Sequence, residues 1–199
     1  SNISNLKKNI IVAGSAALDK KVSEFASENN IGCLEFLSCI PGTIGGGIRM
    51  NSGCFGSEFK DILLSVQAID RTGKVLTIPS SKIKFEYRNI SLSRDLIFLS
   101  ASFKGKLKKK DMIKKDMEYL KSKKDEAQPT KIKTSGSTFK NPIKQTNKKV
   151  WELIKFSVPQ NTAFGDATIS EKHSNFFVNK KNASFKDMKK LIDYVKKSV

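Results

Sequence analysis

Residues 40–56 read Ile40-Pro41-Gly42-Thr43-Ile44-Gly45-Gly46-Gly47-Ile48-Arg49-Met50-Asn51-Ser52-Gly53-Cys54-Phe55-Gly56. Glycine at this density leaves too few side chains to fill a helical or strand face. A tight loop is therefore expected over residues 40–47. Glycines let the backbone approach a ligand and turn its N–H groups toward phosphate oxygens. The spacing matches neither the dinucleotide-binding glycine fingerprint nor a Walker A loop. On the residues alone, a structural turn and a ligand loop both stay open. Asn51 reads first as a turn former and second as a ligand-facing amide.

Working outward, residues 10–13 form a short buried strand ending at Gly14. Residues 20–29 place Val22, Phe25 and Ala26 on one helical face, with Gly32 as the stop. Downstream, residues 63–70 and 75–79 are β-rich and joined by Arg71-Thr72-Gly73-Lys74, a hairpin. Residues 96–103 make another strand. Residues 111–124 carry Met112, Ile113, Met117 and Leu120 at helical spacing, and Gln128-Pro129 ends that region. Residues 176–178 form a short strand. Residues 184–199 form an amphipathic helix with Phe185, Met188, Leu191, Ile192 and Val195 on one face and Ser184 as N-cap. Strands and helices mix without strict β-α-β alternation, which points to an α+β fold. The Lys-rich helix marks the boundary between two lobes, residues 1–106 and 107–199.

The chain has 199 residues, 38% hydrophobic and 28% charged, enough to build a packed core. Lys and Arg total 37 against 19 Asp and Glu, a net charge of +18. Such an excess favours anionic partners. The lysines cluster, as in Lys106, Lys108, Lys109 and Lys110, and again in Lys186, Lys189, Lys190, Lys196 and Lys197. No aromatic residues interleave with them as a base-stacking platform needs, so solvated helix faces are favoured over a nucleic-acid surface. Cys33, Cys39 and Cys54 show no C-x-x-C spacing, which argues against a disulfide framework or a zinc site and for a reducing cytoplasm. Apolar runs are too short to span a membrane, and the first residues have no signal-peptide core.

Two further segments carry chemistry. Ser135-Gly136-Ser137-Thr138-Phe139-Lys140-Asn141-Pro142 gathers hydroxyls, an amine and an amide; a polar turn and a catalytic strand end both fit it. Phe85-Glu86-Tyr87-Arg88 follows the hairpin, and its Arg suits either a surface ion pair or a clamp on carboxylate or phosphate. His173, the only histidine, lies in Ser170-Glu171-Lys172-His173-Ser174-Asn175-Phe176 and reads as structural; alone it makes no metal cluster.

Taken in order, these segments resemble the enolpyruvylglucosamine reductases of bacterial cell-wall synthesis. That family carries I-P-G-[ST]-[VI]-G-G leading into M-N-x-G-x-x-G, then F-x-Y-R, G-S-x-F-K-N-P and S-x-x-H-x-N-F. Here these are residues 40–46, 50–56, 85–88, 136–142 and 170–176. The resemblance implies a partial FAD-binding domain of the vanillyl-alcohol-oxidase-like type, followed by a substrate-binding lobe. It implies FAD as cofactor, NADPH as hydride source and a UDP sugar as substrate, in a cytoplasmic enzyme of peptidoglycan synthesis. Reduced flavin passes hydride to the enolpyruvyl group, and UDP-N-acetylmuramate results.

By motif, Ser137 matches the proton donor and Arg88 the residue that stabilises the intermediate. Gly42, Thr43, Ile44, Gly45, Gly46 and Asn51 lie where the family's loop meets flavin and diphosphate. Tyr87, Lys140 and Asn141 fall in substrate-facing segments. The chain also departs from the family. It starts after the expected G-x-G-S-N flavin loop and stops before the strand bearing a catalytic Glu. The family usually has Ser two residues after the Y-R arginine; here Ile90 stands there and Ser91 follows, and residues 155–162 lack the Ala-Gly turn expected after Leu153-Ile154. A truncated or split enzyme is expected, weak or inactive alone, with a separate polypeptide supplying the missing lobe. The competing readings are a non-catalytic UDP-sugar or nucleotide-binding remnant and a basic nucleic-acid-binding protein.

Overall fold

The computed structural model describes residues 2–129 and 132–199. Its contacts divide the chain into two compact units, Ser1–Ser122 and Lys123–Val199. In the first, a five-stranded sheet runs in the order Ile3–Lys7, Ile10–Gly14, Ile97–Lys104, Leu63–Ile69, Val75–Pro79. Every neighbouring pair is antiparallel. One sheet face is apolar by alternation: Ile11 and Ala13, Val66 and Ala68, Ala101 and Phe103 are all buried. The Leu63–Ile69/Val75–Pro79 hairpin matches its sequence signal. Its turn is closed by the Asp70 carboxylate, which accepts from Thr72 N and Lys74 N at 2.8 and 3.1 Å.

Against that apolar face pack the helix Asp19–Glu28, a short 3-10 turn Glu35–Cys39 and the helix Ile44–Arg49. The last of these corrects the loop expected over residues 40–47. Glycine is a poor helix former, and a helix this short does not persist by propensity. Tertiary packing decides instead. Ile44 and Ile48 share a face and are both fully buried. Gly47 lies flush on the Phe59 ring, where an added Cβ would come within 2.3 Å of two ring carbons. The glycines thus let this short helix approach the core more closely than side chains would.

The strand Ile97–Lys104 is bulged at Leu99, which falls between the pairs Phe98↔Ala68 and Ser100↔Gln67. On the strand's other edge Leu99 O accepts from Ser15 N at 2.8 Å, continuing the ladder past the pair Ser100↔Gly14 and fixing the turn that leaves the strand Ile10–Gly14. The helix Lys110–Ala127 is present, but of its expected apolar stripe only Ile113 is fully buried, and Met112 is exposed.

The second unit has a four-stranded sheet in the order Thr134–Ser137, Phe176–Asn179, Ala167–Ile169, Ala163–Phe164. Helices Val150–Ser157 and Phe185–Ser198 share its core, with Ile154, Ala167, Phe177, Leu191 and Val195 among the buried residues. Ser184 caps the last helix as expected. Its Oγ accepts from Asp187 N at 3.2 Å, and Asp187 Oδ2 accepts from Ser184 N at 2.9 Å. Phe185 does not join the buried face: it is 80% exposed. It stands at the first helical position, before the turn that reaches the core, so Leu191 and Val195 supply the fully buried contacts.

Candidate active site

The turn after the strand Ile10–Gly14 and the segment leading into the helix Ile44–Arg49 are laced together. Asp19 N donates to Gly42 O (3.1 Å), Ile44 N to Ala17 O (3.0 Å) and Gly45 N to Ser15 O (2.9 Å). The expectation that these glycine-loop amides turn toward a ligand is therefore corrected for Ile44 and Gly45, whose N–H groups are committed within the protein. Ile44 is also fully buried. The amides of Thr43 and Gly46 donate to no described residue, and Gly46 is exposed. A Cβ on Gly46 would meet only Thr43 Oγ1, at 3.6 Å. Gly42 abuts a carboxyl that the motifs did not flag. A Cβ there would lie 3.1 Å from Asp19 Oδ2. Asp19 is 0% exposed, neither of its oxygens has a hydrogen-bond partner, and burial pushes its carboxyl up to about 7. No sequence periodicity could have flagged it, because Asp at the start of a helix is usually a solvated dipole partner.

Asn51 is turned inward and 1% exposed. Its Nδ2 donates to Glu58 Oε2 (3.0 Å) and Glu86 O (3.3 Å), and its Oδ1 accepts from Lys60 N (3.1 Å). Its amide therefore builds the wall of the site. Arg88 leans on the same wall, donating from Nη1 to Asn51 O (3.3 Å) and from Nη2 to Gly53 O (3.2 Å). Its backbone is left-handed, with φ 55°, a conformation that costs a non-glycine residue about 1–2 kcal/mol. The hairpin Phe85–Glu86/Asn89–Ile90 forces that turn. Ser91 supports it, its Oγ accepting from Lys84 N at 2.9 Å. The Glu58 carboxylate is held below its usual range by the Lys60 ammonium, with Asn51 and Arg88 adding to the effect against burial. Tyr87, Arg88, Lys60 and Glu58 line a cleft of about 340 Å³.

In the second unit, Ser137 is exposed at the end of the strand Thr134–Ser137. Gly136 precedes it at φ 85°, a left-handed residue that breaks the pairing register between Thr134 and Ser137. Thr138 Oγ1 is buried without a partner. Lys140 is exposed. Asn141 Oδ1 accepts from Val150 N at 3.0 Å, so its carbonyl caps the helix Val150–Ser157. His173 packs between the rings of Phe176 and Trp151, at 4.7 and 6.1 Å between centroids, and burial lowers its pKa. A hollow of about 640 Å³ in this unit, lined by Ile132, Lys133, Thr168 and Lys172 among others, includes none of the candidate residues. Among the described residues no group of acidic, His or Cys side chains is placed to hold a metal, and no helix is long and apolar enough to cross a membrane.

Two known domain families cover parts of these two constellations, with Tyr87 and Arg88 outside both matched stretches. Residues 2–79 match an FAD binding domain, and residues 128–199 match the C-terminal domain of UDP-N-acetylenolpyruvoylglucosamine reductase. The chain is 66% identical to the UDP-N-acetylenolpyruvoylglucosamine reductase of Pelagibacter ubique across 100% of its own length and 66% of that protein. To the reductase of the same name from Rickettsia conorii it is 40% identical, over 100% of this chain and 67% of that one. The crystal structure of UDP-N-acetylenolpyruvylglucosamine reductase from Thermus caldophilus superposes with a TM-score of 0.84 at 29% identity, covering 94% of this chain and 68% of the other. The chain thus spans about two thirds of the length of these curated relatives. Sequence identity along the whole chain, agreement of fold and the ordered site segments lead to one assignment: the chain belongs to the UDP-N-acetylenolpyruvoylglucosamine reductase family.

Proposed function

We propose that the protein takes part in reducing UDP-N-acetylenolpyruvoylglucosamine to UDP-N-acetylmuramate, a step toward peptidoglycan. FAD is the bound cofactor and NADPH the reductant. The observation that carries this reading is the likeness to the Pelagibacter ubique reductase, which runs the full length of the chain at 66% identity. FAD, when bound, accepts hydride from NADPH and supplies it to the substrate's methylene carbon. The residues present suit that group: the uncommitted amides of Thr43 and Gly46 offer donors to a diphosphate, and the bare Gly46 leaves room beside them. Gly42, Gly45 and Ile44 shape that segment through their backbones, and Asn51 holds the adjoining wall.

The remaining chemistry belongs to the chain's own side chains. Hydride addition to the alkene pushes an electron pair toward the substrate carboxylate, and the developing enolate needs a cation. Arg88 is preorganised for that task because Asn51 O and Gly53 O already fix its guanidinium. The α-carbon then takes a proton, for which Ser137 Oγ–H is the donor. Serine is too weak an acid to do this unaided, so the basicity of the enolate drives the transfer. Tyr87, Lys140 and Asn141 contribute to substrate binding, with Tyr87 beside Arg88 in the cleft. The first test is reconstitution: add FAD, remove the excess by gel filtration and record the visible spectrum. More FAD is expected to stay with the native protein than with Gly46→Val; equal retention by both would overturn the placement of the diphosphate.

A further inference from the structure

Ser137 is held on both sides. Before it, Gly136 turns the chain at φ 85°. After it, the ladder to the strand Phe176–Asn179 runs out, since Ser137↔Phe176 is the last pair. Beyond that point a side chain substitutes for the missing strand. Asn175 Oδ1 accepts from Phe139 N (2.9 Å) and Asn175 Nδ2 donates to Phe139 O (2.9 Å). The carboxamide thus pairs with both polar groups of one residue, as a peptide group in a neighbouring strand does. The main chain of Asn175 completes the clamp, its carbonyl accepting from Thr138 N at 2.8 Å. Asn175 is itself 3% exposed and is oriented by His173, whose Nδ1 accepts from Asn175 N at 3.2 Å. That bond leaves the imidazole proton on Nε2 when the ring is neutral.

We propose that Asn175 is the positioning residue of the proton donor: it fixes the backbone on the C-terminal side of Ser137 so that the hydroxyl is held where the α-carbon is protonated. This rests on the reading of Ser137 as that donor. The residue touches neither substrate nor cofactor in this account and acts through the Thr138–Phe139 backbone. Losing the clamp frees Ser137 to shift by a fraction of an ångström to an ångström, a displacement that can lower the rate of an aligned transfer by about 100-fold.

The test separates the two half-reactions in a stopped-flow instrument. Flavin reduction by NADPH involves no substrate proton transfer; net reoxidation by the enolpyruvyl UDP sugar does, because until the enolate takes its proton the hydride can return to the flavin. Asn175→Ala, and Asn175→Asp as a variant of nearly equal volume that loses the Nδ2 donor when ionised, are compared with Ser137→Ala. Thermal unfolding of each confirms that the comparison is between folded proteins. The expected result is an unchanged rate of flavin reduction, with reoxidation slowed about 100-fold in both Asn175 variants and at least as much in Ser137→Ala. Equal slowing of both half-reactions would overturn the proposal, because it would mark Asn175 as a general structural residue. Normal reoxidation in folded Asn175 variants, with Ser137→Ala slow, would overturn the positioning role alone. Normal reoxidation in Ser137→Ala would overturn the serine reading itself.

Discussion

Replacing Asp19 by Asn should remove a pH dependence from folding stability. The native carboxyl is fully buried and makes no hydrogen bond through either oxygen, and burial pushes it up to about 7, well above the ordinary carboxylate range. The folded state therefore holds a proton that the unfolded chain releases, so stability from this group is fully present below the unfolded pKa and declines as pH rises to the folded one. The interval from pH ~5 to pH ~7 spans about 2 units, or about 3 kcal/mol at about 1.4 kcal/mol per unit. Asn is nearly isosteric and does not titrate. Its own burial without partners costs about 1–3 kcal/mol, but that cost is the same at both pH values and cancels. Urea unfolding of both proteins at pH ~5 and pH ~8.5 isolates the effect. Relative to the native chain, Asp19→Asn should gain about 3 kcal/mol between the two conditions. Parallel movement of the two midpoints would refute the reasoning and mean that the carboxyl is solvated or paired.

Other consequences follow from packing and hydrogen bonding. Gly47→Ala forces a methyl into the Phe59 ring and should cost about 1–3 kcal/mol or more in urea unfolding, whereas Gly46→Ala, whose methyl would make only an ordinary 3.6 Å contact with Thr43 Oγ1, should be neutral or gain up to about 1 kcal/mol from helix propensity. Leu191→Ala should cost about 2–5 kcal/mol, because that side chain is 0% exposed, while Phe185→Ala, on the same helix but 80% exposed, should stay within about 0.5 kcal/mol. Arg88→Lys keeps the charge but loses the fork that binds Asn51 O and Gly53 O; reoxidation of reduced flavin by the UDP sugar should slow by about 100-fold or more, with flavin reduction unaffected. Ser184→Ala removes the cap on Asp187 N and should lower stability by about 1 kcal/mol in thermal unfolding.

Local signals carried much of the fold. The hairpin was legible because Asp70 and Gly73 supply the turn chemistry between two β-rich runs, and the last helix because Ser184 begins an apolar stripe that includes Leu191 and Val195. The helix Ile44–Arg49 was not legible, since its stability comes from Phe59 and from Ala17 and Ser15, which are distant in sequence. The ordered segments pointed to the candidate residues but not to how they are held. The sequence offers Asn51 as a turn former or a ligand-facing amide, yet only the fold reveals that it faces Glu58 and Glu86. Asp19 carried no distinguishing pattern because burial alone sets it apart, and the S-x-x-H-x-N-F segment includes Asn175 without indicating the partner it takes in another segment. A lone His173 suggests a structural residue; the ring of Phe176 and the Asn175 N–H are its contacts, and no spacing in the sequence indicates either.

The most direct test of the central claim is an anaerobic spectral titration of the FAD-loaded protein. NADPH should bleach the flavin band, and UDP-N-acetylenolpyruvoylglucosamine should then restore it with one equivalent of UDP-N-acetylmuramate formed per flavin reoxidised. A flavin that NADPH reduces but the UDP sugar leaves reduced would contradict the assignment of Arg88 and Ser137 to this reaction, and a protein that holds no flavin at all would contradict the role proposed for the Thr43 and Gly46 amides.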